Sequence, residues 1–235
     1  MGINFCGALA YADDIVLIAP TVSAMRKMLS VCESSLLDLI VCVRKWRSLR
    51  SIKVSDVCQF YLDGKPLEFV ESYLHLGNII TNTSKDSSDI VFRRGRLVYC
   101  VILVNLILLR LLKCSCYILY GCELWDLDSG NSLDGLCSAW RKGVRRALGL
   151  LLSSTHSFLI PSQSCTLPLF EEICKRSACF LNKCIFSSSC LVRSVMLYSI
   201  NSGRYNSVTY RNLCTVCKLF NWSVHDYISG RVCLT

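Results

Sequence analysis

Asp13 and Asp14 stand side by side after Tyr11-Ala12, between two short apolar runs over residues 5–10 and 15–19. Neighbouring carboxylates beside a low-dielectric sheet repel each other unless a cation neutralises them. Hard oxygen ligands of this kind favour Mg²⁺ or Mn²⁺, which bind through one or two carboxylates together with substrate phosphates. Side chains adjacent along a strand point to opposite faces, so the two acids serve one site only where a turn reorients them. The flanking runs supply that turn. They are rich in small and β-branched residues and are closed by Pro20-Thr21, which predicts two buried strands meeting at a tight bend that carries the acids.

A second group of residues with chemical potential is cationic. The chain carries 26 Lys+Arg against 17 Asp+Glu, a formal net charge of +9 that favours a polyanionic partner such as nucleic acid. An anionic membrane surface competes for that role, because the mean hydropathy is +0.42. Arg44, Lys45, Arg47, Arg50 and Lys53 are interleaved with Trp46, which reads either as a phosphate-tracking strip with an aromatic for stacking or as a solvated linker. Arg141, Lys142, Arg145 and Arg146 recur at i, i+4 spacing beside the apolar face Leu133, Leu136, Trp140, Val144 and Leu148. That ridge either follows a nucleic-acid backbone or solvates an exposed helix face. The 17 cysteines show no framework spacing and no signal sequence opens the chain, so they read as free, buried thiols in a reducing compartment, cytoplasmic or nuclear rather than secreted.

The elements that must position these groups follow from periodicity. Thr21 caps a helix whose apolar face is Val22, Met25, Leu29, Cys32, Leu36 and Ile40, suited to cover the sheet that carries the acids. Residues 59–62 and 65–69 flank Asp63-Gly64, the signal of a two-residue hairpin, and Pro66 marks an edge strand. Residues 82–89 read as a loop and boundary, followed by Arg93, Arg94 and Arg96. Residues 97–109 are almost wholly apolar, yet at helical rise they cover about 20 Å, short of a bilayer core. Spanning would have to include Arg110 and Lys113 at about 3 kcal/mol each, which favours a buried helix over a membrane partner. Asn131 or Ser132 caps a helix running to Gly149. Pro168 at a first helical position, with Glu171 and Glu172 early and Phe170, Ile173, Cys174, Phe180, Leu181 and Cys184 on one side, announces another. Beyond Ser187 the pattern weakens.

Tyr-Ala-Asp-Asp followed by Ile15-Val16-Leu17-Ile18-Ala19-Pro20 resembles the palm hairpin of reverse transcriptases from LINE-type (non-LTR) retrotransposons. Residues 64–80, with Tyr73-Leu74-His75-Leu76-Gly77, resemble the entry into the thumb, and residues 119–125 and a block of 140–150 with 155–157 after it resemble segments downstream of the polymerase domain. Four blocks in one order carry far more than any alone. The resemblance implies an RNA-directed DNA polymerase working on an RNA template and a DNA primer, with Asp13 and Asp14 as catalytic carboxylates on Mg²⁺ or Mn²⁺. It also implies nucleic-acid contacts from Tyr11, from Arg141, Lys142, Arg145 and Arg146, and from a turn that grips the primer end through Gly77, or through His75 where the family has tyrosine. Gly77 suits the role because a backbone closing on a ligand favours the residue without Cβ. Lys45 and Lys53 both stand at the distance of a lysine that assists pyrophosphate departure, neither in the family's Asn-x-x-Lys context. A zinc knuckle known in the family would place a ligand where this chain has Gly230, so Cys214, Cys217, His225 and Cys233 read as stray residues.

The expected architecture is α+β: a truncated palm β-hairpin with its covering helix, a small thumb-entry β-hairpin, then a mainly α-helical C-terminal region. Residues 1–81 are expected to form the partial palm and thumb entry, 82–186 a helical thumb and post-polymerase region, and 187–235 a poorly defined tail. Two-metal nucleotidyl transfer needs a further bridging carboxylate, which the family takes from an earlier strand, and only ten residues precede Tyr11. The chain is therefore expected to be a reverse-transcriptase remnant, inactive alone. The alternatives are a basic nucleic-acid-binding fragment without catalysis and a membrane-associated protein anchored by residues 97–109.

Overall fold

Asp63-Gly64 shows how local chemistry shapes the first part of the chain. Both residues adopt positive φ, 52° and 67°, as a two-residue bend between antiparallel strands requires. In the computed structural model, which describes residues 7–11, 14–38, 47–49, 59–81, 86–102, 119–128, 130–147, 168–202 and 207–232, that bend joins β4 and β5. The full order is β1 (Ala8–Tyr11), β2 (Asp14–Leu17), α1 (Val22–Asp38), β3 (Arg47–Leu49), β4 (Tyr61–Leu62), β5 (Lys65–Pro66), β6 (Glu68–Val70), β7 (Ser72–His75) and β8 (Asn78–Thr81). The helices α2 (Ser87–Ile102), α3 (Gly130–Ala147), α4 (Leu169–Ile185), α5 (Cys190–Ser202), α6 (Val208–Leu219) and α7 (Val224–Ile228) follow, with a 3-10 turn at Cys122–Leu124. The fold is thus mixed α+β and mainly helical. The chain divides into one unit of Met1–Leu74 with Ile80–Ser84 and a second of His75–Ile79 with Lys85–Thr235.

Among the described residues every sheet has two strands. β1 and β2 pair antiparallel, Ala8 opposite Leu17 and Tyr11 opposite Asp14, and the Ile18 N–H donates to the Gly7 carbonyl at 2.7 Å to extend the ladder. Contrary to the expectation of buried strands, Leu9, Tyr11 and Ile15 are 56%, 68% and 50% exposed. A two-stranded ribbon offers each strand a single neighbour, and among the described residues only its Leu17 joins the core of Leu29, Leu62 and Leu67, with Met25 and Phe60. α1 therefore covers the ribbon at one end only. Its start is as expected: Thr21 Oγ1 accepts the Ala24 N–H at 3.1 Å. Glu33 of α1 accepts the Asp63 N–H at 2.6 Å. Residues 47–49, within the basic segment read as strip or linker, form a strand parallel to β6, Arg47 opposite Glu68.

The second unit is built on α2 packed against α3. Ile90 and Leu97 of α2, Leu133 and Leu136 of α3, Trp125 and Leu127 between them, and Leu169, Ile173, Cys174 and Ala178 of α4 form its larger core. Leu181, Ile185, Ile200, Leu213, Cys217 and Tyr227 form a smaller one. Residues 87–89, expected as loop, are the first turn of α2: the Asp86 carbonyl accepts the Ile90 N–H at 2.9 Å, and Asp89 favours the positive helix end. Pro168 stands just before α4 rather than inside it, with ψ 145°. The buried stripe of α4 includes Ser177 and Ala178, whose small size lets the Tyr227 hydroxyl reach the Ala178 carbonyl. Residues 190–228, where periodicity weakens, form three helices. Among the described residues no single helix is long and apolar enough to cross a membrane, and only the pair Leu169–Ile185 and Cys190–Asn201, bent by 120°, would pass together. Residues 103–109 of the apolar run lie outside the described residues.

Candidate functional site

Three places hold the residues singled out above, one in the first unit and two in the second. At the β1–β2 bend, Asp14 opens β2 directly opposite Tyr11, so Ala12 and Asp13 span the connection; both lie outside the described residues. Asp14 is half-buried and Tyr11 exposed. The donor type at Asp14 suits a hard divalent cation, but one carboxylate does not make a divalent site. Among the described residues no group of three His, Cys, Asp or Glu side chains comes together. Cys214 and Cys217 lie on α6 and His225 on α7, while Cys233 lies outside the described residues. The nine described cysteines that carry an assignment are free thiols.

His75 and Gly77 lie at the β7–β8 bend. Leu76 and Gly77 both take positive φ, 46° and 82°, and a Cβ on Gly77 would sit 3.4 Å from the Tyr120 ring. The Gly77 carbonyl accepts an Arg93 Nη2 hydrogen bond at 2.6 Å, and the same nitrogen donates to Asn78 Oδ1 at 2.9 Å. Arg93 is 2% exposed and Asp89 3%. Asp89 accepts from the Ile79 N–H at 3.0 Å and from Trp125 Nε1 at 2.9 Å, and it faces Arg93 Nε at 3.6 Å. The Arg93 guanidinium also lies 5.7 Å from the centre of the Tyr120 ring. The bend is thereby tied to α2 by a buried ion pair in which Arg93 donates to the bend and Asp89 accepts from the Ile79 N–H and the Trp125 indole, contacts that help offset the cost of burying the two charges. A Cβ on Gly121 would meet Asn78 Oδ1 at 2.2 Å, so glycine is required there.

This network was not singled out from sequence. Its signal is the i, i+4 spacing of Asp89 and Arg93, which assigning residues 82–89 to a loop concealed. Its continuation is non-local: Asn212 of α6 accepts the Leu127 N–H at 2.9 Å and donates to the Trp125 carbonyl at 2.7 Å, while Arg211 pairs with Asp126. The Asp126 N–H donates to Asp86 Oδ2 at 2.7 Å, and burial, partly offset by that bond, raises the Asp86 pKa.

The basic ridge on α3 divides. Arg141, Lys142 and Arg146 are exposed and Arg145 is half-buried. Lys142 and Arg146 line a cleft of about 420 Å³ between α2 and α3, joined there by Arg94 of α2; Arg141 and Arg145 do not line it. Sequence marks Arg94 only as basic, because its approach to α3 depends on how the two helices pack. No family model, curated protein or solved structure matches the chain.

Proposed function

We propose that this chain is part of a non-LTR retrotransposon reverse transcriptase, that it carries the Tyr-Ala-Asp-Asp palm hairpin, and that it does not polymerise DNA by itself. One observation supports the reading: Tyr11 pairs antiparallel with Asp14, so Asp14 opens the second strand of a hairpin beside the end of the first, as the motif would require. The order of sequence blocks after the hairpin supports the same family. Asp13 and Asp14 are then the carboxylates that would hold Mg²⁺ or Mn²⁺, which would supply charge neutralisation at the transferred phosphate. Tyr11, His75 and Gly77 would face primer or template.

The absence of activity follows from the other acids. Asp38 ends α1 and Asp63 occupies the β4–β5 bend. Asp86 is engaged by the Asp126 N–H, and Asp89 by Arg93 and Trp125. The carboxylates of Asp86 and Asp89 are thus engaged, and two-metal transfer needs a carboxylate shared by both ions. The test has two parts. Mn²⁺ titration followed by electron paramagnetic resonance should show binding that Asp13→Asn with Asp14→Asn abolishes. A primed RNA template with Mg²⁺ and dNTPs should give no extension above that variant; extension by the unmodified chain would refute the second half of the proposal, and undiminished Mn²⁺ binding by the variant the first.

A further inference from the structure

We infer that the α2–α3 cleft is a phosphate-binding groove for single-stranded nucleic acid, in which Arg94, Lys142 and Arg146 neutralise backbone phosphates. Lys142 and Arg146 are one helical turn apart on α3, on the same face, and Arg94 reaches the cleft from α2. None of the three is paired with a carboxylate among the described residues, and no acid lines the cleft. Three like charges converging on one concavity repel one another, and an anion relieves the repulsion. Phosphate is the matching anion, because a guanidinium presents a donor fork to its oxygens and an ammonium adds a point charge.

The walls fit a chain rather than a rigid duplex face. The volume of about 420 Å³ lies at the small-ligand end of binding clefts, and the short side chain of Ser138 on α3 lines it. A Cβ on Gly135 would come within 2.9 Å of Arg94 Nη1, so the glycine is what lets the guanidinium lie over the cleft. Val98, exposed on the opposite wall, offers apolar contact to a sugar or base edge.

The identity of the anion rests on the nucleic-acid reading above; the site itself does not use the hairpin acids. The experiment is fluorescence anisotropy of a labelled oligo-deoxythymidine with the full chain over a series of NaCl concentrations. Losing all three cations in Arg94→Gln, Lys142→Gln, Arg146→Gln should weaken binding at least about tenfold and flatten the plot of log affinity against log salt by about 2, at about 0.7 per single-strand phosphate contact. Ser138→Glu, which keeps every cation but adds a carboxylate to the wall, should weaken binding in the same direction. Helical circular dichroism checks that both remain folded. A charge-matched control, Lys175→Gln, Lys183→Gln, Arg193→Gln, removes three exposed cations of α4 and α5 and should cost less than about a third of that change in slope. An equal loss in the control or tighter binding of the matching duplex would each overturn the groove. A chain that binds the strand here yet binds no Mn²⁺ fails the polymerase reading alone; one that binds Mn²⁺ but not the strand fails this inference alone.

Discussion

Arg93 and Asp89 show what a single buried charge demands. Their side chains are 2% and 5% exposed, and Asp89 accepts from a backbone N–H and an indole as well as facing the guanidinium. Asp89→Asn keeps the shape but leaves Arg93 a buried cation without its counter-charge, so the urea midpoint should shift by an amount equivalent to about 3 kcal/mol. A second residue-scale effect concerns the thiols. Burial pushes the Cys217 pKa from 9.0 up to about 11 and, with Cys137 and Glu171 adding to it, that of Cys174 up to about 12. In this window the folded chain holds protons that the unfolded chain has released, so the stabilising contribution is complete below pH 9 and is lost as pH rises through the folded values. Melting curves should show the Tm falling between about pH 9 and 11, and Cys217→Val should make that fall shallower.

Glycine has opposite meanings in two neighbouring elements. Gly95 lies inside α2, and a Cβ there would meet nothing within 4 Å; Gly95→Ala should stabilise the chain by about 1 kcal/mol, the difference in helix propensity. Gly77 has φ 82° and the Tyr120 ring beside it, so Gly77→Ala should destabilise by about 1 kcal/mol or more. Chemical denaturation of the two variants in parallel checks both signs. The same bend contains Leu76 at φ 46°, a bulky residue in the left-handed region, which costs an L-residue about 1–2 kcal/mol. The strain is held in place by Arg93, which grips the next carbonyl and side chain along.

At the scale of the whole chain, the two units differ in how much apolar surface they remove from water. Among the described residues the first has a core of Leu29, Leu62 and Leu67, whereas the second has two clusters joining six helices and the turn before α3. Amide exchange followed by mass spectrometry should therefore be faster for peptides from 8–38 and 59–74 than for those from 122–144 and 169–185; equal protection would show that buried area does not set local stability here. Much of this arrangement was legible from local patterns. The Asp-Gly bend, the Thr21 cap, the pairing of residues 8–17 and the apolar face of α3 each depend on neighbours within a few positions, where propensity and spacing act directly. What spacing could not supply is anything decided by partners distant in sequence. The pairing of residues 47–49 with 68–70, the exposure of the first hairpin, the burial of Asp89 with Arg93, and the approach of Arg94 to Lys142 and Arg146 all depend on which faces meet after the helices and strands form. A charged residue reads the same in sequence whether it will be solvated, paired in a core or turned into a cleft, because only packing removes the water that distinguishes the three.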